Sequence, residues 1–259
     1  MVASRIKYGK NEIMQWIFIS PHFDDVALSC GGLIWELTNN GNEVEIWTIC
    51  GGNPSIIIHS PIVETLHKRW KSSDQAAIIR RQEDIRSCQI LNASYYHFDV
   101  LDCIYRLDKN HSPLYPTEES LFGSIHPQDE EMIEHLTPTL LQQIPKQAQL
   151  VCPLAIGNHV DHQLSRKIIE KTGKSHWLYA DFPYVIRNQV DLNSISGKGL
   201  RIKRFAISEE GYRAWLMSVS AHHSQLSSFW KSKQEMDEEF RQYLQNNHGI
   251  LLWRSKQTR

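Results

Sequence analysis

Hydrophobic and polar positions near the amino terminus predict a strand, a helix and a second strand. The unbroken apolar run at residues 16–19 is typical of a strand that is buried on both faces. Apolar positions recur at helical spacing over residues 26–37, and the Asn-Asn-Gly sequence at 39–41 ends that helix. A further apolar run follows at residues 44–49. The pattern therefore predicts a β-α-β unit, which joins two parallel strands.

The alternation of strands and helices continues along the chain. Two longer polar loops interrupt it, at residues 51–74 and 107–127, and loops of this length are often functional. We therefore predict an α/β fold whose mostly parallel sheet is covered on both faces and binds ligands at the carboxyl ends of its strands. The further predicted elements are helices at 75–91, 128–144 and 161–171, strands at 95–98, 150–154, 176–180 and 202–207, and a largely helical stretch at 209–247.

The composition predicts a soluble globular protein. Of the 259 residues, 41% are hydrophobic, and Lys+Arg 28 against Asp+Glu 29 give a formal charge of -1, which argues against nucleic acid as a partner. The 5 cysteines are odd in number and form no C-x-x-C pair, so a reducing cytoplasm is favoured over a disulfide scaffold. No apolar stretch is long enough to span a membrane. We expect one unprocessed cytoplasmic domain over residues 1–259, large enough to fold without a structural metal.

Residues that carry chemistry follow two of the predicted strands. The sequence PHFDD occupies residues 21–25, directly after the first strand, and GNHVDH occupies residues 157–162, after the strand at 150–154. Because the carboxyl ends of parallel strands lie at one edge of a sheet, we expect the two turns to converge. Histidines and aspartates from both turns would then surround one point.

Three of these side chains form a plausible metal-binding set. His22 and His162 would supply imidazoles and Asp25 a carboxylate, which suits zinc or another divalent transition metal. Such a set leaves coordination positions open, as in catalytic sites, and a bound cation lowers the pKa of water from about 15.7 to about 7. Asp24 is next to a ligand and is not needed as one, so we predict that it is the base that takes the proton.

His159 lies three residues before His162 and is expected to face the same site. It would stabilise an oxyanion or protonate a leaving amine, and Asp161 would hold its imidazole in the charged form. The ligand histidines also need a partner at the second ring nitrogen, either an aspartate or a backbone carbonyl. The sequence leaves that choice open.

The motifs PHFDD and HVDH, in this order and strand context, resemble those of the PIG-L (LmbE-like) zinc-dependent de-N-acetylases. The resemblance extends over roughly residues 15–230 and implies a Rossmann-like three-layer αβα sandwich that hydrolyses an N-acyl amide, usually acetyl, of an amino sugar or similar conjugate. It also implies zinc as the cofactor and a small-molecule glycoconjugate as the partner. The roles that it implies match those argued above, with zinc ligands His22, Asp25 and His162, base Asp24, and an electrophilic or acidic His159 with Asp161 behind it.

Weaker matches to the family lie between and after the two motifs. By position, Arg80 and Asp102 inherit contacts with the sugar. One departure is Phe23, where many members carry proline, and this bears on the rigidity of the loop rather than on its ligand atoms. Trp70, in the loop at 51–74, is the tryptophan best placed for the rim of a site. Gly31 and Gly32 are expected to let the first helix approach the sheet closely.

Alternative interpretations remain at this point. An aspartate at a helix start can serve only as an N-cap that accepts backbone N–H bonds, although a second converging turn argues against capping alone. A non-catalytic protein that binds a metal or a sugar would need neither Asp24 nor His159. An amidase of thiol S-conjugates would differ only in its substrate, which the loops at 51–74 and 103–127 would select.

Overall fold

A computed structural model describes residues 13–195 and 200–255 of the chain. The two ends of the predicted domain, residues 1–12 and 256–259, lie outside the described residues. Within them, one seven-stranded sheet has the order β3-β2-β1-β4-β5-β7-β6. Its strands are β1 (Gln15–Ser20), β2 (Glu43–Thr48), β3 (Ser94–His97), β4 (Gln149–Pro153), β5 (His176–Tyr179), β6 (Leu200–Phe205) and β7 (Ile250–Ser255).

The sheet is mostly parallel, as the alternating pattern predicted. β1 to β5 pair in parallel, whereas β7 runs antiparallel to both of its neighbours, β5 and β6. The sequence analysis placed no strand after residue 207, so β7 is an addition to it. Its Leu251, Leu252 and Trp253 are fully buried, and an apolar run of this length does not by itself distinguish a strand from a buried helical segment.

Helices cover the sheet. The crossover from β1 to β2 and the crossover from β4 to β5 run in opposite directions across the sheet, so the right-handed rule places their helices on opposite faces. The three-layer α/β fold is thereby confirmed. The helices are α1 (Asp25–Asn39), α2 (Pro61–Arg69), α3 (Ala76–Ile90), α4 (Glu118–Leu121), α5 (Pro127–Gln143), α6 (Val160–Lys171), α7 (Tyr184–Arg187), α8 (Leu192–Ile195), α9 (Glu209–Ser220), α10 (His223–Phe229) and α11 (Lys233–Asn247).

The paired glycines of α1 have a different neighbour from the one expected. A Cβ atom on Gly31 would lie 2.5 Å from Cδ1 of Trp215, and one on Gly32 would lie 3.1 Å from the same indole. Trp215 belongs to α9, and its indole N–H donates to the carbonyl of Ala27 at 2.8 Å. The glycines therefore allow α9 to pack against α1. The sequence analysis had predicted instead that they let α1 approach the sheet closely.

The two long loops build a small second core above the carboxyl edge of the sheet. α2 lies in the first loop and α4 in the second, and a short 3₁₀ turn, Cys103–Tyr105, lies between them in the chain. Buried apolar residues from these segments pack together and against Val160 at the start of α6. The loops thus form a roof over the edge where the two motifs lie. No helix of the described part of the chain is long and apolar enough to cross a membrane.

Candidate metal and catalytic site

The two motifs meet at the carboxyl edge of the sheet. β1 and β4 are neighbours, so the turn that leaves β1 lies beside the turn that leaves β4. The ring centroids of His22 and His162 are 5.7 Å apart, those of His22 and His159 5.0 Å, and those of His159 and His162 5.3 Å. The expected convergence is therefore present, and all three imidazoles are buried.

The first turn is fixed by its own hydrogen bonds. The Ser20 hydroxyl donates to the carbonyl of His22 at 2.5 Å and accepts from the backbone N–H of Val26 at 3.1 Å. The backbone N–H of His22 donates to Oδ2 of Asp25 at 2.8 Å. Asp24 occupies the N-cap position of α1, yet its side chain makes no capping hydrogen bond. Capping alone therefore does not explain this carboxylate.

The second turn uses backbone conformations that few residues adopt. Ala155, Gly157 and Asn158 all have positive φ, and a Cβ atom on Gly157 would lie 3.0 Å from the Tyr184 ring. Glycine is thus required at that position for both conformation and space. The turn ends at His159, the N-cap of α6, whose Nδ1 accepts from the backbone N–H of Asp161 at 3.3 Å.

Asp25 contacts both His22 and His162, through different oxygens of its carboxylate. Nδ1 of His22 lies 3.1 Å from Asp25 Oδ2, and Nε2 of His162 lies 3.3 Å from Asp25 Oδ1. Nε2 of His162 is buried and has no hydrogen-bond partner among the described residues. An unsatisfied buried nitrogen is costly unless something else occupies its lone pair.

Each of these two histidines has a carboxylate behind it. Nε2 of His22 lies 2.9 Å from Asp161 Oδ2, and Nδ1 of His162 lies 2.6 Å from Asp181 Oδ1. Histidines that ligate metals commonly donate their other N–H to a carboxylate, which fixes the tautomer and the ring orientation. The orphaned nitrogen, the two imidazoles and the carboxylate therefore fit a divalent cation such as zinc, and one nitrogen of His159 also lies within 4.8 Å of nitrogens of both other histidines.

The buried charges perturb one another. Burial raises the pKa of Asp25, but the nearby charge and hydrogen bond of His162 outweigh it and hold that pKa well below its usual range. Burial lowers the pKa of His162, but Asp25 and Asp181 outweigh it and raise that pKa to about 9. Burial, reinforced by the charges of His22 and His162, lowers the pKa of His159 well below its usual range. His159 is therefore neutral at physiological pH.

Asp161 does not have the contact that the sequence suggested. Its carboxylate accepts from the backbone N–H of Cys103 at 2.9 Å and lies against His22, and it also pairs with Arg106. The contact between His159 and Asp161 is made by the ring and the backbone N–H of Asp161, not by its carboxylate. The expectation that Asp161 holds a charged His159 is thus wrong in this structure, because the carboxylate is directed to His22, Cys103 and Arg106 instead.

Arg80 and Asp102 lie in the site together with Asp24. Nη2 of Arg80 lies 3.2 Å from Asp24 Oδ1, and Nη1 lies 3.0 Å from Asp102 Oδ2, with all three side chains buried. Burial raises the pKa of Asp102, but His22 and Arg80 outweigh it and lower that pKa to about 2. The guanidinium carbon also lies 4.9 Å from the centroid of Trp70. Arg80 therefore holds two carboxylates of the site at once.

A cavity of about 180 Å³ opens above these residues. Of the residues predicted from the sequence, its lining includes His22, Asp24, Asp25, His159, Arg80 and Asp102. Aromatic side chains complete its walls, namely Trp70 and Phe122 from the roof, Tyr184 from α7 and Phe229 from α10. Trp70 is thus at the rim, where it was expected.

Two contributors to the site were not identified from the sequence. Asp181 was given no role, although its position just after β5, at the same sheet edge, was an available signal. Arg106 was not singled out. It lies in a long loop, and no local spacing connects it to either motif.

Comparisons with known proteins agree with this architecture. The family model described as GlcNAc-PI de-N-acetylase (PIG-L) matches residues 17–172. A 2'-N-acetylparomamine deacetylase of Niallia circulans is 35% identical over 188 residues, which are 65% of this chain and 67% of that protein.

Solved structures of deacetylases share the fold. The zinc-inhibited form of the teicoplanin deacetylase Orf2 has a TM-score of 0.78 at 23% identity and covers 95% of this chain and 100% of its own. The A40926 pseudoaglycone deacetylase Dbv21 has a TM-score of 0.73 at 24% identity, covering 94% and 97%. These two likenesses bear on the fold alone.

The family match confirms the resemblance inferred from the motifs. The chain belongs to the PIG-L family of GlcNAc-PI de-N-acetylases, which makes it a hydrolase of the de-N-acetylase type.

Proposed function

We propose that the chain removes an N-acetyl group from an amino sugar or sugar conjugate, using a divalent cation held by His22, Asp25 and His162. The observation that carries the proposal is the convergence of these three side chains, with Asp161 and Asp181 behind the two histidines. A bound cation would supply Lewis acidity, polarising the acyl carbonyl and acidifying water.

Asp24 is the proposed base. Its carboxylate makes no capping bond and lines the cavity, so it is available to take a proton from the attacking water. Arg80 donates to Oδ1 of Asp24 and holds the carboxylate in place. The same proton then passes from Asp24 to the departing amine nitrogen as the C–N bond breaks. Water and amide are thereby converted into acetic acid and an amine, which ionise together to acetate and an ammonium, with no net proton gained or lost by the enzyme.

His159 is the proposed oxyanion donor. Because its Nδ1 accepts the N–H of Asp161, the neutral ring carries its proton on Nε2. A neutral imidazole whose pKa lies well below the usual range donates a hydrogen bond without transferring its proton. Of the two roles that the sequence left open, stabilisation of the oxyanion is therefore favoured over protonation of the amine.

The cavity is suited to a sugar ring. Aromatic faces pack against the apolar faces of a sugar, while Asp102 and Arg80 offer an acceptor and donors for hydroxyl groups. The relative from Niallia circulans is named a 2'-N-acetylparomamine deacetylase. We therefore place the substrate among N-acetylated amino sugars that are part of a larger small-molecule conjugate.

Acetate release from a substrate panel tests the proposal. The panel contains 2'-N-acetylparomamine, free N-acetylglucosamine and an N-acylated thiol conjugate, each assayed with chelator-stripped and zinc-reconstituted protein. We expect zinc-dependent release from the amino-sugar conjugate above the other two. Release only from the thiol conjugate would instead identify an S-conjugate amidase, and zinc binding without any turnover would identify a binding protein.

A further inference from the structure

Arg106 lies between two buried carboxylates that belong to different parts of the chain. It directly follows the 3₁₀ turn Cys103–Tyr105, and its side chain is buried. Nη1 lies 2.5 Å from Asp129 Oδ2, in the first turn of α5. Nη2 contacts Asp161 Oδ1, in the first turn of α6. One guanidinium thus connects two helix starts.

On one side of Arg106, the carboxylate of Asp161 is held at both oxygens. Oδ1 faces Arg106, while Oδ2 accepts from the backbone N–H of Cys103 and lies 2.9 Å from Nε2 of His22. A carboxylate with contacts at both oxygens has little freedom to rotate. The orientation of Asp161 therefore sets the orientation of the His22 ring against it.

On the other side, Arg106 is itself anchored. Asp129 Oδ2 also accepts from the hydroxyl of Tyr115 at 2.6 Å, and that hydroxyl accepts from the backbone N–H of His126 at 2.8 Å. The guanidinium carbon lies 5.8 Å from the centroid of the Tyr115 ring. Asp129 and Tyr115 are almost fully buried, so the anchor is part of the packed core beneath the roof.

We propose that Arg106 is a positioning residue for the metal centre, which fixes the ring of His22 through Asp161 although it contacts none of the three ligands. The planar guanidinium donates to Asp129 through Nη1 and makes an ion pair with Asp161 through Nη2, two fixed directions that a lysine ammonium cannot reproduce. Loss of the guanidinium frees Asp161 to rotate, and the Nδ1 of His22 then loses its alignment with Asp25. This inference rests on the proposed function, because it assigns a support to the same metal site.

Zinc affinity of the variants is the test, measured on the full chain by competition with a chromogenic chelator. Loss of outer partners of metal ligands typically weakens affinity about 10–100-fold, and we expect a loss in this range for Arg106→Met. Arg106→Lys keeps a charge that reaches one carboxylate, so we expect partial rescue to a loss of about tenfold. The absorption spectrum of the cobalt-loaded protein should change with the ligand geometry in both variants.

Asp84→Asn is the matched control for a general loss of stability. Asp84 is a buried carboxylate paired with His97 at 2.6 Å and does not line the cavity. We expect this variant to lower the melting temperature without changing zinc affinity or the cobalt spectrum. If Arg106→Met does not fold, Arg106→Lys and Tyr115→Phe provide the test, and the latter should weaken zinc binding less than the former.

The outcomes separate this inference from the proposed function. A wild-type chain that binds no zinc overturns the proposed function and this inference with it. A wild-type chain that binds zinc, together with an Arg106→Lys variant of unchanged affinity and spectrum, overturns this inference alone. An equal loss of affinity in Asp84→Asn would also overturn it, since the effect would then follow stability rather than position.

Discussion

The floor and the mouth of the cavity are built in opposite ways. The floor consists of the buried histidines and aspartates of the two motifs together with Asp181, and most of these side chains have several partners. The residues of the floor are His22, Asp24, Asp25, His159, Asp161, His162 and Asp181. The mouth is formed by α2, α4, α7 and α10, where Arg69 and Glu118 pair at 2.6 Å with side chains 41% and 50% exposed. Rearranging the floor breaks many contacts at once, whereas the mouth can change with little cost. We propose from this difference that the floor carries the reaction and the mouth carries the choice of substrate.

His162→Ala is the change expected to have the largest effect on the floor. It removes one ligand and leaves Asp181 without its imidazole partner, so zinc should be lost and activity should fall to background. The loss of affinity should exceed the roughly 100-fold that removal of an outer partner produces. Zinc content after dialysis checks it, and an unchanged stoichiometry would show that His162 is not a ligand.

Asp24→Asn tests the proposed base and leaves the three proposed metal ligands unchanged. The amide keeps the shape of the side chain but cannot accept the proton, so we expect turnover to fall by roughly 10²–10⁴ with zinc content unchanged. Steady-state kinetics and metal analysis on the same preparation separate the two effects. Near wild-type turnover would exclude Asp24 as the base.

The pH dependence of zinc binding reports the charge state of the floor. His162 has a pKa raised to about 9, mainly because Asp25 and Asp181 outweigh its burial. Below that pH zinc must displace the proton, so its affinity should rise by at least about tenfold per pH unit as pH increases toward 9, more steeply where His22, whose pKa is also raised, is protonated too, and then level off. Titrations in pH-matched chelator buffers measure this slope, and a flat profile below pH 9 would contradict the protonated state assigned to this histidine.

Trp70→Ala addresses the mouth and should act mainly on KM. Loss of an aromatic face worth about 1.4 kcal/mol corresponds to a tenfold weaker interaction, and kcat should change little if the contact is the same in the ground and transition states. Because Trp70 also packs against the Arg80 guanidinium at 4.9 Å, Trp70→Phe is the appropriate control. A fall in kcat of both variants would show that Trp70 contributes to the reaction step, like the residues of the floor, rather than to substrate binding alone.

Arg69→Ala should have the smallest effect. The exposed pair with Glu118 is expected to contribute only about 0–1 kcal/mol to the free energy of unfolding, so the melting temperature should hardly change. Any change in substrate preference across the panel would then reflect access to the cavity. A marked loss of stability would show that the mouth is as rigid as the floor.

The sheet and the meeting of the two motifs follow from the sequence by general rules. Apolar runs and helical spacing located β1, α1 and β4 within about two residues, and the carboxyl-edge rule then brought His22 and His162 together. Strand β7 was missed because its apolar run follows a long helical stretch. The rule that ligands bind at the carboxyl ends of parallel strands therefore predicted more about the site than the local periodicity of the sequence did.

The partners behind the ligands could not be derived in the same way. Asp161 was paired in prediction with His159, its neighbour in sequence, but its carboxylate contacts His22 and Arg106. Arg106 reaches the site through a loop whose path depends on packing against α5. Such contacts are decided by side-chain rotamers and long-range packing, which the spacing of residues along one chain does not encode.

The place of β7 has a consequence for how the molecule is assembled during synthesis. This strand pairs with both β5 and β6, so a nascent chain that has been made only as far as α11 still exposes two unjoined sheet edges. Unpaired edges favour association with other chains, and pairing across such a separation in sequence is slow. Chains in which residues 250–255 have not yet paired should therefore be the most prone to aggregation.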